Sequence, residues 1–117
     1  MTSFSVSGSF SASGGTATIG VDSMSFSGSA SFNSITINSN KKLALLANAS
    51  ISINNLFTVS GSLDASTNMN TVSFTGATQN IPGEDYFNLT LSGTGTKTAT
   101  FDITVSNVFT VGYSTDR

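Results

Sequence analysis

The sequence predicts an all-β fold, and three observations support the prediction. Apolar residues alternate with Ser, Thr or Asn in many short runs. Turn-forming residues recur roughly every 8 to 12 residues, which is typical of short strands joined by tight connections. One passage also recurs in the second half of the chain, where Phe32-Asn33 returns as Phe87-Asn88. Strict alternation places apolar side chains on one face of a half-buried strand, so the core of this protein is expected between pleated surfaces.

The predicted strands follow from the alternating apolar positions. Residues 41–48 are the only weak helix candidate, but the flanking sequence favours a strand there as well. Gly and Asn between the runs tolerate the positive φ that tight turns require. In chain order, the alternating sets are Phe4/Val6, Phe10/Ala12, Ala17/Ile19, Met24/Phe26, Ile35/Ile37, Leu43/Leu45, Ile51/Ile53, Phe57/Val59, Val72/Phe74, Leu89/Leu91, Phe101/Ile103/Val105 and Phe109/Val111.

The duplication favours a β-solenoid over other all-β folds. We expect one domain over residues 1–117, with internal repeats at approximately 8–60 and 61–112. In a solenoid each coil stacks on a similar coil, so repetition is natural. At roughly 20 to 25 residues per coil, one repeat would hold about two coils. An antiparallel β-sandwich or jelly roll is the alternative, because the sequence lacks the short register of the most regular solenoids.

Composition argues against several classes of function. The chain carries four Lys and Arg in 117 residues, too few for the basic patch that nucleic-acid binding needs. It contains no Cys and no His, so the usual nucleophilic triads, disulfides and ordinary zinc sites are absent. The longest apolar stretch is too short to span a bilayer, so we expect no membrane insertion. The sequence predicts no catalytic residues, no metal and no cofactor.

Two segments are candidate ligand sites, each with a simpler structural interpretation beside it. Glu84, Asp85 and Tyr86 form an acidic loop that could contact calcium or a glycan, or could simply keep a turn in water. Residues 93–98 contain Gly93 and Lys97 and faintly resemble a phosphate loop, but no helix follows and the motif spacing is incomplete. A strand-connecting loop is the favoured interpretation of that segment.

Polar motifs suggest two further kinds of surface. Asn48 and Asn88 each begin an N-glycosylation acceptor pattern, Asn48-Ala49-Ser50 and Asn88-Leu89-Thr90. Such patterns arise readily in a chain this rich in Asn, Ser and Thr. Four threonines also alternate near the C-terminus and would form one row on a strand, where they could order water or ice, or be an ordinary exposed face: Thr94, Thr96, Thr98 and Thr100.

Most of the chain resembles the Thr/Val/Gly-rich β-repeats of large secreted bacterial surface proteins. The resemblance rests on residues 71–81, 86–91 and 103–111, which read TVSFTGATQNI, YFNLTL and ITVSNVFTV. The first half of the chain matches less well, with Ser34 inserted. The resemblance implies β-solenoid-like adhesin or filament material, located outside the cell or on its surface, without catalytic residues.

The first and last predicted strands, residues 4–7 and 108–111, lack the charges and prolines that usually protect an exposed sheet edge. The predicted terminal strands therefore favour head-to-tail association, with an interface at Phe4, Val6, Val108, Phe109 and Val111. The expected function is a structural subunit or repeat module of an extracellular filament or adhesin. Its partners would be other copies or neighbouring repeats, and glycans are a further candidate. The alternative is a carbohydrate- or ice-binding β module of a longer surface protein.

Overall fold

The computed structural model describes the backbone of residues 3–6, 9–20 and 22–113, and the side chains of residues 15–20 and 22–112. Within that part the chain forms strands and turns, without a helix. The strands are β1 (Ser3–Val6), β2 (Ser9–Ile19), β3 (Ser23–Phe26), β4 (Ser29–Ile37), β5 (Lys42–Leu45), β6 (Ser50–Ile53), β7 (Phe57–Val59), β8 (Ser62–Asp64), β9 (Thr71–Phe74), β10 (Gln79–Ile81), β11 (Asp85–Gly93), β12 (Lys97–Ala99) and β13 (Thr104–Tyr113).

The strands wind into a stack of parallel coils with three faces, so the predicted β-solenoid is confirmed, with about five turns. The first face has the order β1-β3-β5-β8 and continues through the bridge between Ala65 and Tyr86. The second face has the order β2-β4-β6-β9-β11-β13. Every strand pair among the described residues is parallel. This pattern rules out the antiparallel sandwich.

The third face is split into two separate groups of strands. The ends of β2 and β4 pair with each other, and the end of β4 also pairs with β7. β10 pairs with β12, but no ladder joins β7 to β10 in the described chain. Buried Gln79 spans this seam instead. Its side-chain Nε2 donates to the carbonyl oxygens of Ile53 at 2.9 Å and Asn55 at 3.0 Å, and its Oε1 accepts from the Gly76 N–H at 2.7 Å. The amide thus pairs the Asn55 carbonyl and the Gly76 N–H at the seam, while the Ile53 carbonyl also accepts from the Thr75 N–H at 3.0 Å.

The coil is the structural repeating unit, and its length varies. Successive register partners along one line of the second face are Ser9, Ser29, Ser50, Thr71, Asn88 and Val108, and the step from Thr71 to Asn88 is the shortest.

The duplicated passages are not separated by a whole number of these coils. Residues 51–59, ISINNLFTV, return as residues 103–111, ITVSNVFTV, so Ile53 corresponds to Val105. Ile53 lies on the second face, whereas Val105 pairs with Tyr86 on the first. Equivalent sequence positions therefore occupy different faces. The expectation of two coils per repeat is corrected accordingly, because the sequence similarity follows the local alternation and not the winding of the chain.

Alternate residues of the strands point into the solenoid and stack on one another from coil to coil. On the second face one inward column contains Ala30, Ile51, Val72 and Leu89, and all four side chains are buried. The rings of Phe57 and Phe74 add an aromatic contact, with centroids 6.1 Å apart. The period of two read from the sequence is confirmed for this core, whose larger members each contribute roughly 1.5 to 3 kcal/mol by burial.

Hydroxyl side chains stack in the same way on the outside of the second face. One outward column contains Ser31, Ser52, Ser73, Thr90 and Thr110, which are register partners on successive strands. Register partners occupy the same position on successive coils, so each hydroxyl side chain of this column stacks on another hydroxyl side chain. The outer surface along this column is therefore neutral and polar.

The inward and outward assignments can be tested on two adjacent residues. We expect Ile53→Ala to lower the free energy of unfolding by about 2 to 5 kcal/mol, since Ile53 is fully buried and truncation leaves a cavity. We expect Ser52→Ala, which alters an outward side chain, to change it by less than about 0.5 kcal/mol. Urea unfolding followed by circular dichroism measures both values. Equal losses in the two variants would contradict the register described above.

Candidate functional site

The last strand of the second face is an open edge with apolar residues in its core positions. β13 pairs with β11 on one side, and no strand of the described chain pairs with its other side. Phe109 pairs with Leu89 and so continues the inward column described above. Val111 continues a second inward column, which contains Phe32, Ile53, Phe74 and Leu91. Phe109 and Val111 are nevertheless 52% and 51% exposed. At this end of the stack, these two side chains occupy core positions but are about half exposed to solvent.

The other predicted interface residues divide between the two ends. Val108 is also exposed, but it pairs with Asn88 and so lies on the outer surface rather than over the core. At the opposite end, the backbone of β1 places Phe4 and Val6 in register with Met24 and Phe26. The side chains of Phe4 and Val6 lie outside the described part of the structure.

One exposed residue of the last coil was not predicted as part of the interface. Phe101 is 78% exposed, the largest exposure among the large apolar side chains described. The sequence grouped it with Ile103 and Val105 on one strand, but β13 begins only at Thr104. Phe101 therefore lies in the connection before the strand, where alternation no longer determines which way a side chain points. Ile103 and Val105 pack against the core as expected.

The structure separates the residues of the predicted acidic ligand loop. Tyr86 is fully buried, and its hydroxyl donates to the carbonyl oxygen of Pro82 at 2.9 Å. Burial raises the pKa of Tyr86, and nearby Glu84 raises it further. Tyr86 is thus a core residue and is not available to a ligand in this structure. Asp85 is exposed and Glu84 is half-buried, and no cluster of metal-ligating side chains occurs in the part of the chain described.

The segment that resembles a phosphate loop has a structural role. The Lys97 ammonium donates to three backbone carbonyl oxygens, those of Gly76 at 2.9 Å, Ala77 at 2.7 Å and Thr94 at 3.0 Å. Removal from water lowers the pKa of Lys97. These contacts tie together the turns of two successive coils. The interpretation of this segment as a strand-connecting loop agrees with the structure, since β12 begins at Lys97.

The four alternating threonines do not form one row on a strand. β12 comprises only Lys97–Ala99, so Thr98 alone among the four lies in this strand, paired with Asn80. Thr100 donates its hydroxyl to the carbonyl oxygen of Ile81 at 3.3 Å. The regular hydroxyl surface of this protein is instead the outer side of the second face.

Both predicted glycosylation residues line one groove, but they differ in availability. Asn48 is exposed in a turn, where its backbone has a positive φ of 66°. Asn88 is half-buried and engaged, because its Oδ1 accepts from Asn107 Nδ2 at 2.9 Å and from the Val108 N–H at 3.2 Å. Attachment of a glycan to Asn88 would disturb these contacts, so Asn48 is the more accessible acceptor.

Comparison with known proteins adds no family to this description. No protein-family model, no curated protein and no solved structure matches the chain. Among the residues that the structure describes, there is also no helix with the length and apolar character needed to cross a bilayer. The function must therefore be argued from the geometry of the coils, the open edge and the groove.

The half-buried carboxyl of Glu84 gives a prediction about pH. Burial, followed by the charge of Asp85, raises the pKa of Glu84 above its usual 4.5, so ionisation of Glu84 disfavours the folded state at neutral pH. We expect Glu84→Gln to be more stable than the parent at pH 7. The difference should shrink as the pH falls through the folded pKa, and it should be smallest below 4.5, where the parent carboxyl is protonated in both states.

Thermal unfolding between pH 3 and pH 8, followed by circular dichroism, checks this expectation. A difference between the parent and Glu84→Gln that does not vary with pH would contradict it, as would a variant less stable than the parent at pH 7. Glutamine keeps the size and shape of the side chain and removes its charge, although one acceptor oxygen becomes an NH2 donor.

Proposed function

We propose that this protein is a structural β-solenoid module that associates end to end through its open coil. The observation that supports the proposal is the half-exposure of Phe109 and Val111 at inward positions of the edge strand β13, which pairs on one side only in the described chain. A further coil laid on β13 would cover both side chains and pair the free N–H and C=O groups of the strand. Each of those changes is favourable for association.

The register of the second face supports a second copy as the occupant of this edge. The backbone positions of Phe10 and Ala12 in β2 stand at the far end of the same two columns that finish at Phe109 and Val111. If β2 of a second copy paired in parallel with β13, the columns would continue without interruption from one copy into the next. Position 11 would then follow Thr110 in the outward column.

The composition of the edge strands supports the same proposal. No Lys, Arg, Asp, Glu or Pro occurs in β1, β2 or β13. Charged or proline-containing edges are the usual protection of a soluble sheet against pairing with another chain. Because the two edges lie at opposite ends of one parallel stack, the contact is heterologous and does not close, so it generates a filament.

Association of this kind suits a fibre or surface structure. The resemblance of residues 71–111 to the repeats of secreted bacterial surface proteins supports a place in extracellular filament or adhesin material. The module would contribute stiffness, through continuous backbone ladders and a continuous apolar core. In a longer chain the same edge would receive the next coil of that chain, and the isolated module would still present it.

The proposal predicts different effects for neighbouring residues of one strand. We expect Phe109→Lys and Val111→Lys to abolish end-to-end association, because each puts a charge where the next coil must pack. We expect Thr110→Lys to be much less disruptive, since Thr110 points outward. Light scattering after size exclusion measures the mass of each species, and negative-stain electron microscopy detects filaments.

A parent protein that stays monomeric at the highest accessible concentration would overturn the proposal. So would association that survives Phe109→Lys and Val111→Lys but is lost in Thr110→Lys. Circular dichroism of all three variants serves as the folding control, because these side chains lie on the terminal strand and none belongs to the buried core.

A further inference from the structure

The corner between the first and second faces is uneven, and the unevenness creates a groove. The connection at this corner is residues 46–49 in one coil and 66–70 in the next, but Phe87 alone in the coil that follows. The two longer connections protrude from the stacked strands, whereas the single-residue connection at Phe87 does not. A recess of about 330 Å³ results, which we call the asparagine groove. Its volume is within the range of small-molecule sites.

The asparagine groove is lined by amides and contains no charged side chain. Asn48, Asn70, Asn88 and Asn107 come from four successive coils and meet there. In the described chain, the side chain of Asn48 makes no hydrogen bond. Asn107 Nδ2 donates to Asn88 Oδ1 at 2.9 Å, and the Asn107 amide oxygen remains available as an acceptor. The groove therefore offers neutral donors and acceptors together.

A buried acceptor without a partner lies at this groove. Asn70 is 1% exposed, and its Nδ2 donates to the carbonyl oxygens of Leu45 at 3.1 Å and Asn68 at 2.9 Å. Its Oδ1 is buried and accepts no hydrogen bond from the described residues. Asn70 is therefore a polar residue beside the groove whose hydrogen-bonding capacity the described residues do not use fully.

Apolar surface stands beside the amides. Met69 is 58% exposed and Phe87 is half-buried, and both line the asparagine groove. A sugar ring has hydroxyl groups around its rim and C–H bonds on its faces. Neutral amides suit the former, and an exposed thioether and ring suit the latter.

We propose that the asparagine groove binds a neutral oligosaccharide. The amides of Asn48 and Asn107 would hydrogen-bond its hydroxyls, and Met69 would cover a ring face. An anion or a metal ion is a poorer match, because the lining has no cationic side chain and no carboxylate. The proposal does not depend on end-to-end association, since the groove spans four coils at a corner of the stack and, of its lining residues, only Asn107 belongs to the terminal strand β13.

The experiment uses the full chain labelled with nitrogen-15, and cellohexaose, maltohexaose and N-acetylchitohexaose as the three probes. Saturable shifts of the side-chain NH2 signals of Asn48 and Asn107 are expected with at least one probe. The double variant Asn48→Gly/Asn107→Ala should weaken binding at least fivefold. Glycine is chosen at position 48 because the backbone there has positive φ. Asn54→Ala, which removes an exposed amide at a different corner, should bind as the parent does.

Two outcomes would overturn the inference, namely no saturable shift with any probe, or equal affinity in the parent and the double variant. Met69→Ser is a second variant that keeps the fold, because Met69 lies outside the buried core, and it too should weaken binding. Repeating the titration with Phe109→Lys separates the two proposals. Binding that persists in that variant supports the groove whether or not the chain forms filaments.

Discussion

The structure depends on one constraint, which is that each strand pairs in parallel with the strand one coil away while keeping its inward face inward. A single backbone hydrogen bond contributes only about 0.5 to 1.5 kcal/mol, but the ladder enforces a register. A slip of one residue would exchange every inward side chain for an outward one. Here that slip would bring Ser52 into the core in place of Ile53. The alternation of Ile, Val and Phe with Ser and Thr therefore selects the pairing as well as the core.

Because register fixes only the strands, differences in length accumulate at the corners. The step from Thr71 to Asn88 on the second face is shorter than the steps before and after it, and the loops absorb the difference. Corners carry backbone groups that no ladder pairs, and buried or half-buried polar side chains compensate for them. Gln79 bridges the seam of the third face, and Lys97 binds three carbonyl oxygens across two turns. Uneven corners also leave the recess that contains Asn70.

The sides of the stack and its ends expose different kinds of surface. Around the stack, outward hydroxyls and amides give a largely neutral, hydrated surface. Along the axis, the register of the last coil sets where a further coil would pack. Phe109 and Val111 therefore occupy core positions although no described strand covers them. The same regularity that gives the module its interior therefore leaves apolar side chains exposed at this edge. Lateral recognition and axial growth would use different residues, which would allow them to act independently.

The sequence by itself determined the all-β class, most of the strands and the inward positions, because an alternation of period two is a local property. It favoured the solenoid through the duplication, but only the parallel pairing of the strands excluded the sandwich. It also indicated the unprotected terminal strand. Tertiary structure decided the coil length, since the duplicated passages fall on different faces. It placed Tyr86 in the core rather than in a ligand loop, and it brought Asn48, Asn88 and Asn107 into one groove. Those outcomes depend on contacts between residues that lie a coil or more apart, and the corner lengths that set these contacts have no periodic signal in the chain.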